Sequence, residues 1–142
     1  MTNELIDDLL KMAKTVAIVG ISNKPERDSY KVAEYLQSHG YKILAINPLQ
    51  AGNIILGEHC YPSLARAKQE TGLKIDIVDC FRKSEDIPAI LSEAIMVEAG
   101  AIWMQLGIEN ANEAEKAMRA GLSVVMNRCT KIEHKRLHQI LQ

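Results

Sequence analysis

The chain has 142 residues, a length that suits one domain of roughly 100–200 residues, and 47% of them are apolar. Lys and Arg total 17 against 18 Asp and Glu, so the net charge of −1 provides no cationic field for nucleic acid. No apolar run reaches the ~18–20 residues of a membrane span, and the first residues are polar and acidic, unlike a signal peptide. We therefore expect a cytoplasmic protein, with a single domain over residues 1–142, that binds neither nucleic acid nor membrane.

The predicted elements alternate between helix and strand in chain order. An amphipathic helix comes first, and its apolar face consists of Leu5, Ile6, Leu9, Leu10 and Ala13. Five short, nearly continuous apolar runs then predict strands covered on both faces, at 15–21, 41–47, 75–79, 101–106 and 122–126. Segments with helical period separate them, and a last helix places Leu137, Ile140 and Leu141 against the sheet.

Glycines and capping residues mark the boundaries of these helices. A glycine shortly before a strand predicts a helix that ends in a left-handed cap, at Gly40, Gly72, Gly100 and Gly121. Asn110 with Glu113, and Thr130 with Glu133, have the spacing of a capping box. Pro88 suits only the first turn of a helix, because it lacks a backbone N–H.

This alternation predicts βαβ units with right-handed crossovers. The expected fold is an α/β Rossmann-like domain with a five-stranded, mainly parallel sheet and helices on both faces. Ligands of such sheets bind outside the carboxyl ends of the strands, where the strand order reverses. The loops that follow the first four predicted strands are therefore the places to look for a site.

The loop after the first predicted strand is suited to a phosphate. Gly20 closes the strand, and the next helix, predicted to start near Ser29, directs its free N–H groups and positive dipole end at the crevice. Lys24, Arg27 and Lys31 add positive charge. The loop lacks the remaining glycines of a dinucleotide fingerprint and the Gly-Lys-Ser/Thr of a Walker loop. A solvated polar loop is the alternative interpretation.

The end of the second predicted strand disfavours a nicotinamide dehydrogenase. It carries Asn47 and Pro48 where an NAD-binding domain places an acid for the ribose 2′-hydroxyl. Candidate catalytic groups are equally sparse: Asp76 and Asp79 flank the third predicted strand, and no nucleophile is placed in a motif that would pair with them.

Cysteines and histidines add no metal site to this picture. Three cysteines, an odd number, stand far apart and are expected to be reduced thiols: Cys60, Cys80 and Cys129. His134 and His138 lie four residues apart, but zinc needs further ligands and H-E-x-x-H is absent. His39 and His59 are interpreted as isolated surface residues near turns.

Several stretches together resemble the stand-alone CoA-binding protein family. They are Val16–Leu36 in full, Ile46-Asn47-Pro48, Tyr61-Pro62-Ser63-Leu64, Asp79-Cys80-Phe81-Arg82 and Trp103-Met104-Gln105-Leu106-Gly107. That family has a Rossmann-like domain related to the CoA-binding domain of the succinyl-CoA synthetase alpha subunit. The resemblance covers nearly the whole chain and implies coenzyme A as the cofactor.

The resemblance also implies roles for individual residues. The pyrophosphate and part of the pantetheine would lie on the first loop, held by Gly20, Ser22, Arg27, Ser29 and Tyr30. Asn47 and Pro48 would border the nucleotide, Phe81 would face the adenine and Arg82 would meet a phosphate. The exit of the fourth predicted strand, near the pantetheine arm, would be lined by Trp103, Gln105 and Gly107.

The leading hypothesis is a module that binds coenzyme A or an acyl-CoA as a small-molecule ligand, without catalytic residues and without metal. The chain ends before the segment that carries the synthetase's phosphorylated histidine, so ligase activity is not expected. Two alternatives stay open. One is a small enzyme acting on a CoA thioester through Cys80 or an Asp, and the other is an NAD-binding or redox-sensing domain, which rests on fold analogy alone. For Phe81 and Trp103 a plain core role is an equal alternative to ligand contact. The sequence leaves open whether the protein forms a homodimer.

Overall fold

Helices and strands alternate along residues 2–141, the part of the chain that this computed structural model describes. The helices are α1 (Asn3–Met12), α2 (Asp28–Ser38), α3 (Leu64–Thr71), α4 (Ile87–Met96), α5 (Ala111–Arg119) and α6 (Thr130–Leu141). The strands are β1 (Thr15–Val19), β2 (Lys42–Ile46), β3 (Ile54–Ile55), β4 (Glu58–Tyr61), β5 (Ile77–Cys80), β6 (Ala101–Met104) and β7 (Ser123–Val125). No helix in this range is long and apolar enough to cross a membrane.

The strands form one sheet in the order β3-β4-β2-β1-β5-β6-β7, and every neighbouring pair except β3 with β4 is parallel. The chain moves outward from β1 to β2 and β4, then returns to place β5 on the other side of β1. The strand order therefore reverses between β1 and β5. The chain leaves β1 toward one edge of the sheet and leaves β5 toward the other, so the loops after these two strands diverge. This α/β Rossmann-like arrangement puts a ligand crevice at the carboxyl edge of the two strands.

The prediction of five strands is wrong, because it omitted the hairpin of β3 and β4. The two hairpin strands pair Ile55 with Glu58 across a turn formed by Leu56 and Gly57. Both turn residues have positive φ, 54° and 77°, as a two-residue hairpin turn of type I′ requires. Leucine rarely adopts this conformation, so the turn lacks the usual Asn-Gly signal.

Two hydrophobic cores cover the two faces of the sheet, as a parallel sheet requires. One core joins α1, α2 and α6 to the sheet and includes Ile6, Leu36, Trp103 and Leu137. The other core lies under α3, α4 and α5. The predicted packing of the first helix is confirmed by the burial of Ile6 and Leu10, each of which contributes roughly 1.5–3 kcal/mol if fully removed from water.

Two predictions about helix ends are wrong. Ile140 is 66% exposed and does not pack on the sheet, whereas the side chain of Leu141 lies outside the described residues. Gly100 has no positive φ; the left-handed residue after α4 is Glu98, at φ 58°. Gly100 serves close packing instead, since a Cβ there would stand 2.9 Å from the Asp76 carbonyl oxygen.

The caps of α4 and α5 follow the sequence, but that of α6 does not. Pro88 lies in the first turn of α4. The Asn110 side chain accepts a hydrogen bond from the Glu113 N–H, although the Glu113 carboxylate pairs with Lys116 and does not complete a capping box. Thr130 is the first residue of α6, and its hydroxyl donates to Asp79, so it takes part in the site described next.

Candidate functional site

A cleft with two chambers lies at the carboxyl edge of the sheet, above the reversal of strand order. The small chamber, about 400 Å³, lies between the loop after β1 and the start of α2. The large chamber, about 790 Å³, lies between the start of α2, the loops after β5 and β6, and the start of α6. Asp28 and Phe81 line both chambers and so mark where they meet.

The small chamber depends on the absence of a side chain at Gly20. This residue has φ +90°, and a Cβ on it would stand 2.8 Å from Arg82 Cδ and 2.9 Å from the Phe81 carbonyl oxygen. The Gly20 N–H donates to the carbonyl of Ile46 at the end of β2. Because Gly20 has no Cβ, the loop after β1 can adopt this φ and lie against the residues that follow β5.

The rest of the first loop is held open by hydrogen bonds to side chains. The Ser22 N–H donates to Ser29 Oγ at 2.9 Å, and the Lys24 N–H donates to Ser22 Oγ at 3.0 Å. Helix α2 begins after Arg27, whose side chain makes no cap hydrogen bond. The first turn of this helix thus faces the chamber, and its N–H groups and dipole favour an anion there.

The large chamber has an apolar wall and a basic rim. Phe81 and Ile108 are half-buried in the wall, and Leu106 and Ile132 are exposed in it. The rim carries four basic side chains: Lys31, Arg82, Lys83 and Lys131. Arg82 is paired with Asp86, its Nε lying 3.4 Å from the Oδ2 atom, which fixes the guanidinium beside the cleft.

Charge in the cleft differs sharply from charge in the whole chain. Six of the 17 basic residues line the two chambers, with Lys24 and Arg27 on the small one and four on the large one, whereas Asp28 is the one acidic residue among the described lining of both. A chain of net charge −1 therefore carries a locally cationic cleft. Such a site concentrates anions.

A buried polar network forms the floor of the large chamber beneath Gln105. The Gln105 amide nitrogen donates to Asp79 Oδ1 and, at 3.0 Å, to Thr130 Oγ1. The Thr130 hydroxyl donates to Asp79 Oδ2 at 2.9 Å. Asp79 is fully buried, and this burial raises its pKa from 3.8 to about 7, although the bonds from Gln105 and Thr130 lower it. The network ties β5, β6 and α6 together at the site.

The structure brings eight of the twelve predicted site residues to the cleft. In the small chamber these are Gly20, Ser22, Arg27 and Ser29, and in the large one Arg82, Gln105 and Gly107, with Phe81 in both. Tyr30 is half-buried and packs on the core beneath α2. Pro48 is exposed at the start of a short 3-10 helix. Neither of these two residues belongs to the described lining.

Asn47 faces the backbone and is 8% exposed, so it does not border the cleft directly. Its amide nitrogen donates to the Ile21 carbonyl at 2.8 Å, and its amide oxygen accepts from the Leu49 N–H at 2.9 Å. The side chain thus joins the loop after β1 to the end of β2. An Asp here would lose the donor and place a buried negative charge against a carbonyl oxygen.

Trp103 is fully buried, which corrects its placement at the exit of β6. It lies in the core beneath α1, α2 and α6, and its indole N–H donates to the Arg128 carbonyl at 2.8 Å. In register it stands opposite Asp79, on the neighbouring strand. Trp103 therefore supports the loop after β7 from below and has no surface for a ligand.

The groups considered for catalysis are withdrawn from the cleft. Cys80 is fully buried among the residues under α3, α4 and α5, and burial raises its pKa well above the ordinary value, with a further increase from Asp79. Asp76 accepts the N–H groups of Lys14 and Thr15. Cys129, which is not one of these candidate groups, is half-buried and lines the large chamber.

The expectation that His39 is isolated is wrong. Its ring centroid lies 5.0 Å from that of His134 and 6.2 Å from that of His138, because α2 and α6 pack side by side. The Tyr35 hydroxyl lies 2.8 Å from His134 Nδ1. Among residues 2–141 no group of three or more His, Cys, Asp or Glu side chains is placed to hold a metal ion.

Sequence reasoning missed the contribution of the last helix to the site. Cys129, Lys131 and Ile132 follow β7 and line the large chamber together with Lys31 of α2. The signal was present: the segment 127–132 follows the fifth predicted strand, and the carboxyl ends of parallel strands share one edge. The predicted site includes only the loops after the first four predicted strands and so omits this segment.

Comparison with known proteins places this architecture in a family. The sequence model of the CoA binding domain matches residues 14–135. The uncharacterized protein YneT of Bacillus subtilis (strain 168) is 33% identical over 129 residues, which are 91% of each protein. Among solved structures, a Thermus thermophilus protein is 33% identical with a TM-score of 0.88, over 96% of this chain and 99% of that one. A hypothetical protein from Pyrococcus horikoshii OT3 is 38% identical with a TM-score of 0.88, over 97% of this chain and 93% of that one.

Proposed function

This chain belongs to the CoA binding domain family, and we propose that it binds coenzyme A or an acyl-CoA in the two-chambered cleft, as a binding module. The observation that carries the proposal is the charge of the cleft, where six basic side chains and one acidic side chain meet in a chain of net charge −1. Coenzyme A carries a 3′-phosphate on its ribose and a pyrophosphate, and a long, mostly uncharged pantetheine arm extends from the pyrophosphate. A cationic cleft with an apolar wall matches both parts.

The small chamber is the proposed site of the pyrophosphate. The start of α2 offers backbone N–H groups, and Ser22 and Ser29 hold the loop in the shape that exposes them. Arg27 is exposed at the N-cap and has the planar fork that pairs with two phosphate oxygens. Gly20 keeps the chamber free of a side chain at the point of closest approach.

The large chamber is the proposed site of the pantetheine arm. Phe81 lies where the chambers meet, and its half-buried ring is part of the apolar wall of the large chamber. Gly107, at φ +82°, has open space around the position of a Cβ, and its N–H is held by Asn127. The arm would pass over Gln105 toward the start of α6, with the basic rim on either side.

The alternatives are less well supported by the same geometry. An enzyme that uses Cys80 needs a thiol that reaches its substrate, but this thiol is fully buried with a raised pKa. An NAD-binding site of the usual kind needs an acid at the end of β2, but the Asn47 amide there bonds two backbone groups. We place the binding module in the cytoplasm, where its three free cysteines stay reduced.

Isothermal titration calorimetry with coenzyme A on the wild type, Arg27→Ala and Arg82→Ala tests the proposal. A hydrogen bond to a charged group contributes about 1.5–3 kcal/mol, so each variant should bind at least about tenfold more weakly. Arg119→Ala is the matched control, since Arg119 is exposed on α5 and pairs with Glu115 there. Absence of measurable binding by the wild type, or equal affinities of all variants, would contradict the proposal.

A further inference from the structure

The large chamber contains more apolar surface than a polar arm requires. Leu106, in the loop after β6, is 59% exposed, and Ile132, in α6, is 54% exposed. Both line the chamber, where Phe81 and Ile108 extend the same wall. Single exposed aliphatic side chains are ordinary on protein surfaces, but a patch assembled from several elements inside one cleft marks a binding surface.

The position of this apolar wall relative to the charges is the second observation. The same chamber is lined by four basic side chains, which are Lys31 of α2, Arg82 and Lys83 after β5, and Lys131 of α6. The floor is polar but satisfied, because the Gln105 amide nitrogen bonds both Asp79 and Thr130. A ligand that fits both features therefore combines anionic groups with an aliphatic group.

We propose that the large chamber holds the aliphatic chain of an acyl-CoA, so that the protein prefers acyl-CoA with several methylenes over free coenzyme A. The proposal rests on the proposed function, since the pyrophosphate would anchor the same molecule in the small chamber. Leu106 and Ile132 are the residues that contact the chain.

Chain length provides the quantitative expectation. Burying one methylene contributes about 0.8 kcal/mol, which corresponds to about fourfold in affinity. Burial of only about two methylenes therefore tightens binding by more than tenfold. Octanoyl-CoA should accordingly bind at least about tenfold more tightly than acetyl-CoA, with butanoyl- and hexanoyl-CoA between them.

The test is calorimetric titration of coenzyme A and the acetyl, butanoyl, hexanoyl and octanoyl thioesters into the wild type, Leu106→Ser and Ile132→Ser. Both substituted side chains are more than half exposed, so the variants should fold. In each variant the preference for octanoyl-CoA over free coenzyme A should be mostly lost. A weaker contact with the pantetheine arm lowers the affinity for both ligands and cancels in this ratio. Ile140→Ser is the control, because Ile140 is 66% exposed on the same helix and lies outside the described lining of the chamber.

The outcomes separate this inference from the proposed function. A chain-length gain that is lost in Leu106→Ser and Ile132→Ser, and kept in Ile140→Ser, supports the acyl site. Equal affinities for coenzyme A and all thioesters overturn the inference and leave coenzyme A binding intact. A gain that both cleft variants retain overturns the placement of the chain. Absence of binding by every compound overturns the proposed function itself.

Discussion

Replacing Asp79 by Asn should abolish a large part of the pH dependence of stability. Burial raises the pKa of Asp79 from 3.8 to about 7. The folded chain therefore keeps a proton that the unfolded chain has already released between these values. The contribution of Asp79 to stability is present at low pH and is lost as the pH rises toward and through 7. Asn is neutral at every pH and preserves the shape of the side chain.

The expected magnitude follows from the two pKa values. Between pH 5 and pH 8 the linkage relation gives a loss of about 3 kcal/mol from this group. The measurement is urea unfolding at several pH values, followed by the fluorescence of Trp103, the chain's one tryptophan and a fully buried one. The free energy of unfolding of Asp79→Asn minus that of wild type should be larger at pH 8 than at pH 5, by about this amount.

A difference between wild type and variant is needed because other groups titrate in the same range. Burial lowers the pKa of His134, and the neighbouring His39 and His138 lower it further, so the contribution of His134 to stability is lost as the pH falls.

Thr130→Val is a second check, since removing this hydroxyl raises the pKa of Asp79 and moves the loss of stability to higher pH. If wild type and Asp79→Asn show parallel pH profiles, Asp79 is not protonated in the fold and the reasoning fails.

Two further substitutions test the loops around the small chamber. Asn47→Asp loses the hydrogen bond to the Ile21 carbonyl and buries a charge, so the free energy of unfolding should fall by at least about 1–3 kcal/mol. The control Asn53→Asp, in an exposed loop, should change it by about 0.5 kcal/mol or less. Equal effects of the two substitutions would show that the buried amide is not needed. Gly20→Ala should lower the stability of the fold more than Gly40→Ala. The two glycines have similar φ values, +90° and +94°, but of the two only Gly20 has atoms within 3 Å of the added Cβ. Thermal unfolding compares the two variants, and equal losses of stability would contradict the close approach.

The central sheet was predictable from the sequence because each of its strands is a continuous apolar run between helices of clear period. The five predicted strands all exist, with ends that differ by a few residues. The hairpin of β3 and β4 was not predictable by the same means. Ile54 and Ile55 form only two residues of strand, Ile54 is 65% exposed, and the turn uses Leu56 in a conformation that leucine rarely adopts.

The parts of the candidate site that are formed by backbone positions were predictable from the sequence. The direction in which individual side chains point was less predictable. Gly20 and the start of α2 lie where the loop pattern indicated, because strand order and helix polarity fix them. Trp103 lies in β6 and Asn47 follows β2, but both side chains turn into the fold. The hydrogen bonds that hold them there join residues far apart in the sequence. Ile132 reaches the cleft from α6, and only its position after the fifth predicted strand, at the carboxyl edge of the sheet, indicates this.

Thermal unfolding of the protein with coenzyme A, NAD and ATP, each far above a plausible dissociation constant, tests the central claim most directly. A ligand at 100 times its dissociation constant adds about 2.7 kcal/mol to stability. For a chain of this size that should raise the midpoint by roughly 5–11 °C. Coenzyme A binding in the cleft predicts a rise of this size with coenzyme A and a much smaller one with NAD. A rise with NAD and none with coenzyme A would contradict the account.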